Sequence, residues 1–273
     1  VNNFTRKKGD KKVQSIVNMI LENNLIEENN SILLNYGYII FLVLSLSFTL
    51  LCTFFSRINL INSKFLCKKS KNDIIPNILY FISFFILIFL LPVIVFFISL
   101  KLNKVEFNPV LVLNAFGLTS GKWKLGSVLA LIGIIVAPII SKSSIEKTGK
   151  FYPFSKSSLK NFKSFIIFEL SYFLFYYFAW EFIFRGYMLK YLLVCSGYSI
   201  QGIIISISIQ TIISTIYHIG HPFEEILGAF AGGFIFGIIA LLTGSFLYTW
   251  LIHAALGIAT DTLVYLEQKK ITD

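Results

Sequence analysis

The stretch YYFAWEFIFRGYMLKYL, residues 176–192, sets Glu181 and Arg185 four residues apart among aromatic and aliphatic side chains. On one helix that spacing brings an acid and a base onto the same face, in the order that favours pairing. Ionisable residues inside a membrane segment are costly and by default mark function, and pairing lowers the cost of both. All three histidines, His218, His221 and His253, fall in the last 56 residues. Imidazole is the side chain that most readily moves protons near neutral pH. Glu224, Glu225 and Asp261 lie in the same region.

These residues must be positioned by helices in a membrane. Of 273 residues, 56% are hydrophobic and 14% charged, and the mean hydropathy is +0.76. Stretches near 32–55, 75–100, 126–141, 164–195, 198–219, 223–243 and 245–266 approach or exceed the roughly 20 apolar residues that cross a bilayer. The expectation is an all-α, polytopic transmembrane bundle of about seven spans, with six to eight allowed. A β-barrel would need alternating segments, which the sequence lacks. The span at 126–141 is short and holds Pro138, which suggests a re-entrant or kinked element. The run at 164–195 exceeds one crossing and must tilt, break or continue along the surface.

Three regions are expected: a basic segment 1–31 containing an amphipathic interfacial helix (Val13, Ile16, Val17, Ile20, Leu21), helices over 32–160, and a functional core over 161–273. The net charge of +10 resides in loops, where it suits anionic headgroups and makes nucleic acid a poor partner. The chain is read as an integral protein of the cell membrane. Ten basic residues fall on one side of a seven-span arrangement and thirteen on the other, which leaves orientation open. Cys52, Cys67 and Cys195 show no spacing of a disulfide framework or thiolate site.

Turns near Gly197 and Gly244 place both on one membrane face. Counting about 1.5 Å per residue from that face puts Glu181 at about 24 Å, Asp261 at about 26 Å, Glu225 at about 28 Å and His218 at about 31 Å. Arg185 and His253 fall at about 18 and 14 Å. These residues are expected to face one cavity formed by the last four helices. Blander readings exist for each: an ion pair that neutralises itself, a His218 at a helix end, a His253 that bonds across a close helix contact. Gly228, Gly232, Gly233 and Gly237 read as small residues that let helices approach. Glu169 has no evident partner in the sequence.

EFIFRGYML (181–189), HIGHPFEE (218–225) and GSFLYTWLIHAALGIATD (244–261) together resemble the ordered motifs of the CPBP superfamily of intramembrane endopeptidases, which includes CAAX proteases and bacteriocin-processing Abi proteins. The resemblance covers about 165–266. It implies glutamate-based peptide hydrolysis without a cofactor, acting on a membrane-associated peptide or protein. Glu181 then matches the second Glu of a Glu-Glu-x-x-x-Arg motif, Arg185 its Arg, His218 the His of a Phe-x-x-x-His motif, and His253 the His of a last His-x-x-x-Asn motif. The resemblance gives the carboxylate and a histidine the activation of water, the last motif the oxyanion, and Arg185 the orientation of Glu181.

The sequence departs from that pattern at three places. Trp180 stands at the first Glu, Ser214 at the Phe and Gly257 at the Asn. A branch with Trp-Glu-Phe, His-x-Gly-x-Pro-x-x-Glu and a later Asp is similar here, and it brings in Glu225 and Asp261 as supporting residues. Two other readings remain: a non-catalytic binding or immunity protein on the same scaffold, and a zinc peptidase using His218, His253 and a carboxylate, for which the HExxH spacing is missing.

Overall fold

The computed structural model describes residues 14–20, 27–54, 74–105 and 109–272. Among them every regular element is a helix, with no named strand. We number the elements α1 (Glu27–Phe54), α2 (Ile74–Leu102), α3 (Pro109–Ala115), α4 (Trp123–Phe151), α5 (Phe162–Cys195), α6 (Ile200–Ile216), α7 (Phe223–Thr243) and α8 (Leu247–Thr272). Six of these are long and apolar enough to cross a membrane, and α6 is a shorter apolar helix. The backbone reason is general: in hydrocarbon every N–H and C=O must be paired within the segment, which a helix does.

Three expectations change in detail. The span at 126–141 is neither short nor re-entrant: α4 runs 29 residues with Pro138 inside it. The polar run of Lys142, Ser143, Ser144, Glu146 and Lys147 extends the helix past its apolar stretch. The long run at 164–195 stays one helical element of 34 residues, about 50 Å long at an α-helical rise, well beyond the hydrocarbon thickness. It is interrupted by π-helical stretches at Tyr172–Tyr177 and Phe182–Met188. The segment 198–219 forms a helix only to Ile216, so His218 sits in the turn that follows.

The turns lie where glycine permits them. Gly197 (φ +76°) follows α5, and Gly244 (φ +73°) closes α7 in the left-handed conformation. Ser199 starts α6 by accepting a hydrogen bond from the Gly202 N–H at 3.0 Å. Residues 14–20 are helical and bury Val17 and Ile20 among Leu189, Leu193 and Ile203, while Ile16 faces outward. Val13 and Leu21 lie outside the described residues.

α8 packs along α4. A Cβ at Gly126 would overlap the Tyr248 ring, and one at Gly133 would come within 2.7 Å of Ile252. α5 packs on α2 through an aromatic wall in which Phe81 stacks on Tyr172 (4.6 Å) and Phe84 on Trp180 (6.4 Å). Between these two pairs a cavity of about 710 Å³ remains, bounded by α2, α4, α5, α7 and α8 and reached by Phe48 and Leu51 of α1. The enclosure therefore involves the N-terminal helices as well as the last four.

Candidate functional site

Glu181 closes the short α-helical turn Phe178–Glu181 between the two π-helical stretches of α5. Its Oε1 accepts a hydrogen bond from Arg185 Nη1 at 3.0 Å and lies 2.7 Å from His253 Nδ1. A carboxylate accepts, so that ring nitrogen carries the hydrogen and the remaining nitrogen, Nε2, is left for the cavity that His253 lines. Glu181 is fully buried, lies behind Arg185 and His253, and does not itself line the cavity. The Arg185 guanidinium is buried between the rings of Phe184 and Phe236, 5.8 and 5.4 Å from their centroids. Each charge is thus taken out of water only because the other is there, which makes the pair costly to break.

His218 lines the same cavity in the turn after α6, with Nδ1 2.9 Å from the Ser214 carbonyl. A carbonyl only accepts, so Nδ1 bears the hydrogen and the neutral ring keeps its lone pair on Nε2. Ser214 thus serves through its backbone; its own hydroxyl donates to the Thr211 carbonyl at 3.0 Å. Trp180 stands edge-on to His218, with ring centroids 5.5 Å apart, and is itself buried.

A second polar group lies on the cavity wall. Tyr152 Oη donates to Glu225 Oε1 at 2.6 Å, and His221 Nδ1 lies 2.7 Å from the same oxygen. Burial, reinforced by the Glu225 charge, holds the Tyr152 hydroxyl well above its ordinary pKa, so it stays a donor. Glu224, next in sequence, pairs with Lys147.

The sequence-selected residues thus separate. Arg185, His218, Glu225 and His253 line one cavity, with Glu181 directly behind two of them. Asp261 does not join them: it is buried against Glu169, which gives that glutamate the partner its sequence did not show. Tyr152 was not selected from sequence. Its only signal is the aromatic run KFYPF beyond the charged end of α4, which does not announce proximity to residue 225.

The glycines also divide. A Cβ at Gly233 or Gly237 would meet Thr211 or Gln210 of α6, so those two serve packing; Gly228 and Gly232 meet nothing within 4 Å and line the cavity. A Cβ at Gly257 would overlap the Tyr177 hydroxyl. Alanine in place of glycine gains about 1 kcal/mol of helix propensity, whereas overpacking a close contact costs about 1–3 kcal/mol. Gly228→Ala and Gly232→Ala are accordingly expected to hold or raise the thermal midpoint in detergent, and Gly257→Ala to lower it. Equal midpoints for all three would contradict the described packing.

Among the described residues no three His, Cys, Asp or Glu side chains are grouped as a metal ion would require. Residues 162–259 match the family model described as Type II CAAX prenyl endopeptidase Rce1-like. No curated protein and no solved structure matches the chain. The matched stretch runs from the start of α5 into α8 and contains Glu181, Arg185, His218 and His253.

Proposed function

We propose that this chain is an intramembrane endopeptidase that hydrolyses a peptide bond in a membrane-associated peptide or protein. The observation that carries the reading is the hydrogen-bonded series Arg185–Glu181–His253, which ends on a cavity that His218 also lines. Arg185 fixes and neutralises Glu181, and Glu181 fixes the His253 ring. With a hydrogen on each ring nitrogen, His253 donates from Nε2 to the oxygen of the scissile carbonyl as charge builds there. His218, with its Nδ1 hydrogen already bound, offers Nε2 to hold the attacking water. This division gives Glu181 an orienting role, because it is fully buried and does not line the cavity.

The walls favour an apolar substrate. Ile132 and Ile140 of α4 and Ile235 of α7 line the cavity and are exposed. A membrane-held chain would meet an apolar wall along these α4 and α7 side chains.

The test is hydrolysis of fluorescence-quenched peptides by the purified protein in nanodiscs, using a peptide with a farnesylated C-terminal cysteine segment and its unlipidated counterpart. Wild type is expected to cleave, with and without a chelator, and His218→Ala to lose about 10²–10⁴ in rate. Activity lost with a stoichiometric metal would favour the zinc reading. No cleavage by wild type, with cleavage gained by Trp180→Glu, would make the natural chain a non-catalytic binding or immunity scaffold.

A further inference from the structure

We propose that Glu225 is the catalytic base, the group that takes the proton from the attacking water; this rests on the peptidase reading above. The chemistry needs a carboxylate on the cavity side, and the structure narrows the choice. Glu181 is sealed behind Arg185 and His253 with no face on the cavity. Asp261 and Glu169 are buried against each other away from it. Glu224 reaches the cavity edge but is paired with Lys147. Trp180 places an indole, which has no acceptor, beside His218. Glu225 remains as the cavity-lining carboxylate whose second oxygen is uncommitted.

Its geometry suits the role. Tyr152 and His221 both engage Oε1, at 2.6 and 2.7 Å, which fixes the carboxylate from one side. Oε2 is buried and makes no hydrogen bond. A buried acceptor without a partner is costly unless something fills the place in use, and water on its way to a carbonyl is such a partner. His221 also connects the two halves of the site, since its ring centroid lies 5.5 Å from that of His218. A water molecule has two hydrogens, and the wall offers two acceptors: His218 Nε2 and Glu225 Oε2.

In the step proposed, the water oxygen forms a bond to the carbonyl carbon while one O–H bond breaks and its proton passes to Glu225 Oε2. The carbonyl π electrons move to the oxygen that faces His253. The tetrahedral intermediate then collapses, the C–N bond breaks, and the proton on Glu225 passes to the departing amine nitrogen. Atoms, charge and protons balance, and Glu225 returns to its starting form.

The experiment uses the full chain in nanodiscs with the same farnesylated quenched peptide. Glu225→Gln is expected to lower kcat by about 10²–10⁴ with KM changed less than about threefold, the range for loss of a general base. Glu225→Ala should regain part of that loss with added sodium formate, a recovery that a merely structural role would not give. Tyr152→Phe, which removes one of the two bonds on Oε1, should lower kcat about tenfold. If Glu225→Gln does not accumulate in folded form, Glu225→Asp reads the same quantity, because it keeps the charge and withdraws the oxygen by one methylene. Wild-type cleavage together with a Glu225→Gln or Glu225→Asp variant of undiminished kcat would overturn this assignment alone. A wild type that cleaves neither peptide would overturn the peptidase reading, and this assignment with it.

Discussion

Arg185→Leu is expected to cost the folded protein about 3–5 kcal/mol, because it strands the buried Glu181 charge without its partner. The guanidinium does more than pair: it fills the space between Phe184 and Phe236, so leucine also forfeits packing and cation–π attraction there. Thermal unfolding in detergent, followed by size-exclusion chromatography, reads the loss directly. The double variant Arg185→Leu/Glu181→Leu removes both charges and should recover most of the stability, since apolar replacement of a whole buried pair is often neutral. It should recover no activity, because His253 would lose the acceptor that orients it. An Arg185→Leu protein as stable as wild type would mean that Glu181 is not held as a buried charge.

His253→Ala should lower kcat by about 10²–10³, the usual effect of removing one donor from a developing oxyanion. KM should change little, because the donor acts on charge that appears only in the transition state. Glu181→Gln makes the companion measurement. The amide carries no charge, but its oxygen can still accept from His253 Nδ1 and hold the ring, so its loss should be smaller than that of His253→Ala. If Glu181→Gln proved the more damaging of the two, the orienting role would fail and Glu181 would have to act on water itself.

Much of the bundle was legible because hydrocarbon imposes a length and a polarity on every span. The 223–243 span coincides with Phe223–Thr243, and the turns expected at Gly197 and Gly244 hold left-handed glycines. Depth was less legible. Counting from the turns set Glu181 and His253 about 10 Å apart along the membrane normal, yet His253 Nδ1 lies 2.7 Å from Glu181 Oε1. The count assumed straight α-helices standing upright. α5 has two π-helical stretches and is longer than one crossing, so residue number and depth do not run in step along it. The same assumption put Asp261 in the layer of Glu181, whereas it pairs off with Glu169. Tyr152 and Gly257 were opaque for another reason: what they do depends on partners 73 and 80 residues away, Glu225 and Tyr177.

The π-helical stretch Phe182–Met188 makes chain length part of the site. Its hydrogen bonds close from i to i+5, so the turn holds more residues than an α-helix would over the same arc. Removing one residue there would let the backbone relax into regular α-helix, leaving the later turns in phase but re-aiming the side chains inside the stretch, Arg185 among them, relative to Glu181. Gly186 marks how little rotation is tolerated, because a Cβ there would stand 2.8 Å from the Phe116 carbonyl and 2.9 Å from the Phe246 ring. Helical phase is thus a heritable trait of this segment, distinct from residue identity. A homologue could retain Glu, Arg and Gly in their order and still lose their mutual alignment through a single codon deletion.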